Sequence, residues 1–206
     1  MWIRAVLAAA ALAASVSVAS ATIIVTPVPP TGSGVYPTPG TQTSPYYTFT
    51  AGSNGPIVAY FAGQDAGYDQ YIGLLINGTP TGITGLMNHS SSIGDSLTLG
   101  YAHPGDVLVF FDYVIPTSTT YYTNNGNGDG LDHTYIVNFA GASPLPAGIL
   151  IAFEDLPHGG DLDYNDMKIV VLQAVPEPST WAMLLLGFAG VAGFAHRRAR
   201  KIAALG

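Results

Sequence analysis

The chain of 206 residues carries thirteen acidic residues against six lysines and arginines, with five histidines and no cysteine. That length accommodates one domain with a real core, and the missing cysteines exclude disulfide staples and thiolate-bound metal. A formal charge of −7 argues against nucleic acid as a partner, since little here neutralises phosphates.

Residues 1–21 begin with one charge, Arg4, continue through an apolar stretch from Ala5 to Ala14, and end in the small-residue site Ala19-Ser20-Ala21. This is the layout of a secretory signal peptide, cleaved after Ala21. Residues 22–45 hold Pro27, Pro29, Pro30, Pro37, Pro39 and Pro45 among Gly, Thr and Ser, which reads as an extended lead-in.

From residue 46 the apolar runs are short and rich in Val, Ile, Tyr and Phe. Strands are expected at 46–50, 57–61, 71–76, 96–101, 107–114, 134–139, 149–153 and 167–171. Turn signals at Ser53-Asn54-Gly55, Asn77-Gly78, Pro104-Gly105 and Asn127-Gly128 read as hairpin closures. No capped helical period interrupts them. The expectation is an all-β domain over 46–174, a β-sandwich of jelly-roll-like type. In the strand at 134–139, Tyr135, Val137 and Phe139 form the more apolar face and are expected to meet the core.

The charge is unevenly spread. Between residues 22 and 174 lie twelve carboxylates and one cation, Lys168, a formal charge of −11. Five of them fall within Glu154-Asp155-Leu156-Pro157-His158-Gly159-Gly160-Asp161-Leu162-Asp163-Tyr164-Asn165-Asp166. The alternation of Asp161, Asp163 and Asn165 puts three oxygen-bearing side chains on one side of a turn, and Glu154, Asp155 and Asp166 add oxygens from the flanking strand ends. Calcium takes six to eight oxygens at about 2.3–2.6 Å, tolerates irregular geometry and offsets carboxylate repulsion. The EF-hand spacing fails, because it needs Gly at 166 and Glu at 172, where Asp166 and Leu172 stand. A second loop supplies Asn125, Asn127, Asp129 and Asp132, either another site or the other half of the first. Asp65 and Asp95 fall in separate turns.

Other chemistries find less support. No converging set of histidines suits zinc. A glycosidase pair is conceivable in Asp112 with Glu154 or Asp155, and no nucleophile elbow surrounds Ser90, Ser91 or Ser92. The chain reads as non-enzymatic.

The tail, 175–201, contains Pro176-Glu177-Pro178, an apolar segment at 181–195, and the basic residues Arg197, Arg198, Arg200 and Lys201. A spanning helix needs roughly 20 apolar residues, so this segment is a marginal span, helped at its ends by Trp181 and the basic cluster. Together these features resemble the PEP-CTERM sorting signal of exported proteins in Gram-negative bacteria. The resemblance implies transient anchoring in the inner membrane, processing by an exosortase, and delivery to the cell surface or extracellular matrix. The run Phe153-Glu154-Asp155-Leu156-Pro157, its Gly-rich step and Asp161-Leu162-Asp163-Tyr164-Asn165-Asp166 resemble an uncharacterised domain common among proteins with this tail. Tyr60-Phe61-Ala62-Gly63 and 74–78 are similar to it more loosely. That resemblance implies a calcium-dependent, adhesin-like or matrix-associated module, and no enzymatic activity.

The expected function is therefore that of an exported, calcium-stabilised surface or matrix protein associated with exopolysaccharide or biofilm. A calcium-dependent carbohydrate-binding module is the alternative, with tyrosines such as Tyr46, Tyr47, Tyr68, Tyr71, Tyr121 and Tyr122 as stacking faces. A polysaccharide hydrolase is the second alternative. Intact-mass measurement on surface-extracted protein is expected to give a species that begins near Thr22 and lacks Arg197 to Lys201. Retention of the basic end outside the cell would contradict the sorting reading.

Overall fold

Val, Ile, Phe, Tyr and Thr fit a pleated surface in which alternate side chains face opposite ways, and strands form wherever they recur with that period. The computed structural model describes residues 22–32, 46–174 and 186–191. Among these the strands are β1 (Ile23–Thr26), β2 (Thr31–Gly32), β3 (Thr48–Ala51), β4 (Gly55–Gly63), β5 (Gln70–Ile76), β6 (Thr79–Gly85), β7 (Ser96–Ala102), β8 (Val107–Val114), β9 (Thr119–Tyr122), β10 (Thr134–Phe139), β11 (Gly148–Phe153) and β12 (Met167–Gln173). The first sheet runs β1-β3-β8-β5-β6, with β9 also on β8, and the second runs β2-β10-β11-β12-β4-β7. All pairings are antiparallel except that of β2 with β10.

The two inner faces close on one core. Phe49, Ile72, Leu74, Leu108 and Phe110 of the first sheet pack in one cluster with Ile57, Phe61, Ile136, Ile151, Phe153 and Ile169 of the second. Phe49 and Phe110 meet edge to face, with centroids 5.6 Å apart, a geometry that adds about 0.5–1.5 kcal/mol beyond area burial. The domain is the expected all-β sandwich.

Four details correct the sequence reading. The segment 22–45 is not merely a lead-in: β1 pairs with β3, β2 pairs with β10, and Ile23 and Val25 are buried in the core. Strands β6 and β9 escaped notice because one is an edge strand of Thr, Pro, Gly and a single Ile, and the other is only Thr-Thr-Tyr-Tyr. Of the four turn signals, only Asn77-Gly78 closes a hairpin, that of β5 with β6, with φ of 51° and 78°. The other three lie between consecutive strands of different sheets, so they carry the chain across the sandwich. Finally, Ile136 and not Val137 faces the main core, because sheet two is buried on both sides here: Val137, Phe139, Leu150 and Val170 make a second cluster, packed by Tyr60, Tyr135 and Leu145.

The signal segment with Ala21, residues 33–45, and Pro176, Glu177 and Pro178 lie outside the described residues. Of the segment 181–195, residues 186–191 are described and helical, and no helix among the described residues is long and apolar enough to cross a membrane. If β1 is part of the core, Ile23→Ala should cost about 2 kcal/mol or more in chemical denaturation. A cost near zero would return residues 22–26 to the status of a leader.

Candidate metal centre

The acidic residues sit where the second sheet ends. Phe153 closes β11 in the core and Met167 opens β12 in the core, so the intervening segment must leave the sheet and return. Glu154 and Asp155 follow β11 directly and are buried, at 1% and 3% exposure. Glu154 N–H donates to the His133 carbonyl at 2.9 Å, which holds the start of the segment against the 124–133 loop.

In and beyond a short 3-10 turn at Pro157–Gly159, the backbone is unusual. His158, Leu162 and Tyr164 have φ of 62°, 57° and 53°, a left-handed conformation that costs L-residues about 1–2 kcal/mol each. Packing sustains it: Tyr164 is fully buried, and its hydroxyl donates to the Asp132 carbonyl at 3.2 Å. With Tyr164 turned inward, Asp161 is left exposed, and Asp163 and Asn165 are half-exposed beside it. Gly160 is required by space as well as by its φ of 49°, because a Cβ there would lie 2.2 Å from Glu154 Oε1.

Two groups of carboxylates result, each with ligand oxygens within 4.8 Å of one another. Glu154, Asp161 and Asp163 form the outer group, Glu154, Asp155 and Asp166 the inner one, and Glu154 belongs to both. The inner group is closely tied, since Asp155 N–H donates to Asp166 Oδ2 at 3.0 Å and Tyr164 N–H to Glu154 Oε2 at 3.3 Å. Asn165 donates to Asp163 through both its backbone N–H and its side-chain amide. Asn165 thus orients Asp163.

The electrostatics follow from crowding. Burial, then the Asp166 charge, pushes Asp155 up to about 7. Burial and Asp166 likewise raise Glu154, and burial raises Asp166 in spite of the Asp155 N–H. Asp163 is raised by burial and by Asp161, with Lys168 opposing. Asp65 does not lie apart from this site, contrary to the sequence reading: its N–H donates to the Asn165 carbonyl at 3.1 Å, and its charge acts on Asp163 and Lys168. Asp95 does lie apart, accepting from Ser92 N–H in its own turn.

The 124–133 loop is built differently. Asn127 Oδ1 accepts from Tyr122 N–H at 2.8 Å, and its amide donates to the Leu131 carbonyl at 2.9 Å. Asp132 Oδ1 accepts from the N–H and hydroxyl of Thr134. Burial pushes Asp129 up, but hydrogen bonds from His133 and from the N–H groups of His158 and Leu131 outweigh it and hold the carboxyl at about 2. Asn125 is exposed. Neither Asp129 nor Asp132 joins either carboxylate group. The loop instead braces the site: His133 Nδ1 lies 3.0 Å from the Glu154 carbonyl, and its ring stacks on Tyr121 at 4.0 Å.

Sequence reasoning missed two residues as members of this site. Asp112, considered only as a glycosidase carboxylate, is wholly buried on the inner face of β8, so it does not face a cleft. Gln70, also wholly buried, donates from Nε2 to the Asp166 carbonyl at 2.9 Å. Asp112 was findable, as the one charge in the run Val107–Val114 and in phase with Leu108 and Phe110. Of the candidate stacking tyrosines, Tyr121 is buried, whereas Tyr71 and Tyr122 lie on the outer face of the first sheet beside Tyr113 and Phe111.

Two outcomes follow. Carboxyls raised in the folded state bind protons that the unfolded chain releases near pH 4, so cation-free stability is full below that pH and is lost as pH rises through about 7. In chelator the protein should therefore melt higher at pH 5 than at pH 8, and equal melting would remove the crowding. Gly160→Ala should cost about 1–3 kcal/mol through backbone strain, and more through displacement of Glu154, as read by denaturant titration.

Residues 174–201 match the PEP-CTERM protein-sorting motif, which marks an exported protein and is the substrate signal for exosortase processing. No curated protein and no solved structure matches the chain. Residues 65–174, from the turn before β5 to the end of β12, match the Domain of unknown function (DUF4114), and with more than half of its length covered the chain belongs to that family.

Proposed function

We propose that this exported protein is a non-enzymatic surface or matrix module whose sandwich is rigidified by calcium at the acidic segment, and that it works in association with extracellular polysaccharide. The observation that carries the reading is the pair of carboxylate groups sharing Glu154, in a domain whose only cation is Lys168. A hard divalent ion is what such a set of oxygens accommodates. The exposed Asp161 leaves one side of the outer group open, which favours as a second reading a carbohydrate-binding module in which the ion itself meets sugar hydroxyls.

Metal analysis of the purified protein, followed by melting in calcium and in chelator, tests the first reading. An ion that binds only the folded state adds RT ln(1 + [L]/Kd), about 2.7 kcal/mol at a hundredfold excess over Kd. Identical melting in calcium and chelator would overturn it. A glycan array run in calcium and in chelator tests the second, which predicts calcium-dependent retention.

A further inference from the structure

The inner faces of the two sheets meet on a further set of oxygens beneath the acidic segment. On β8, Leu108, Phe110 and Asp112 occupy alternate positions and so share the inward face. Neither carboxylate oxygen of the wholly buried Asp112 has a hydrogen-bond partner; it stands outside the two groups whose oxygens lie within 4.8 Å of one another, and the charges of Asp155 and Asp166, at the ends of the opposite sheet, act on it. Asp155 Oδ2 is also buried without a partner, as is Gln70 Oε1, whose own amide is fastened to the Asp166 carbonyl. In register, Asp112 pairs with Ile72 and Tyr121.

Buried acceptors without donors are rare in folded proteins, and each costs about 1–3 kcal/mol, more when charged. A proton would satisfy at most two of these oxygens. Calcium would take six to eight. We propose that Asp112, Asp155, Asp166, Glu154 and Gln70 Oε1 hold a second divalent cation between the sheets, bridged through Glu154 to the outer position at Asp161 and Asp163. The inference rests on the calcium reading above and adds to it an interior ion that ties β8 and β5 of the first sheet to the ends of β11 and β12.

The test uses the full chain, stripped with chelator and titrated with calcium chloride. Wild type should bind two ions, and Asp112→Asn and the double variant Asp161→Asn/Asp163→Asn one each. Asp112→Asn should lose most of the calcium-dependent rise in melting, yet in chelator melt no lower than wild type, because the replaced carboxylate has no hydrogen-bond partner to lose. The double variant should keep most of that rise. Crystals of wild type soaked in a lanthanide give an arm independent of variant folding, with an anomalous peak expected between Asp112 and Asp155. An Asp112→Asn protein that binds calcium as wild type does, or a peak only at Asp161 and Asp163, would overturn the interior site while sparing the proposed function. A wild type that binds no calcium would overturn both.

Discussion

The structure turns on a repulsion. Glu154, Asp155, Asp163 and Asp166 crowd one end of a sandwich whose interior already contains Asp112, and the nearby cation is Lys168. Two like charges 4 Å apart repel by about 1 kcal/mol in water and about 4 at an effective dielectric of 20. Such a cluster does not persist by packing alone. It takes up protons, which is what the raised carboxyls express, or it takes up a cation. Every local feature around it acts to hold the carboxylates together in spite of the repulsion.

Those features are costly, and they are concentrated. Left-handed Leu162 and Tyr164 store strain in a segment of a few residues, and Gly160 removes the side chain that would collide with Glu154. Strain of this kind survives only where surrounding structure over-determines it. Here Tyr164 supplies the anchor, buried and bonded to the Asp132 carbonyl, while the Glu154 backbone is gripped by His133 from two directions. The rest of the fold provides rigidity, since the strands that carry Asp112 and Gln70 are interior to their sheet, with β8 flanked by β5 on one edge and by β3 and β9 on the other.

Much of this was legible in the sequence. Alternating β-branched and aromatic residues marked eight of the strands, and the spacing of Asp161, Asp163 and Asn165 marked the acidic turn. What was not legible depended on tertiary pairing. Ile23 and Val25 look like part of a Pro-rich leader until β3 pairs with them, and a turn such as Pro104-Gly105 carries no signal of whether the next strand lies in the same sheet or the opposite one. The face of β10 was misread for a related reason. Apolar residues on both faces identify a strand buried twice, and alternation alone does not say which face meets the larger core. Asp112 was hidden by distance, since more than forty residues separate it from Asp155 and Asp166, whose charges act on it.

The two loops rich in Asp and Asn differ in how far the fold satisfies their polar side chains. In the 124–133 loop, donors are plentiful: Tyr122, Leu131, Thr134 and His158 supply N–H groups, and His133 supplies a ring, so Asn127, Asp129 and Asp132 are satisfied within the protein. At the acidic segment the acceptors outnumber the donors, and Asp112, Asp155 and Gln70 retain oxygens with no partner at all. Density of charge already favours the acidic segment, but composition alone does not decide, because Asn and Asp build turns as readily as they bind ions. The decisive quantity is the local balance of acceptors over donors after folding. Unpartnered buried oxygens occur on Asp155, Asp112 and Gln70 and not on Asn127, Asp129 or Asp132, and a buried acceptor without a donor is the physical condition that a cation relieves.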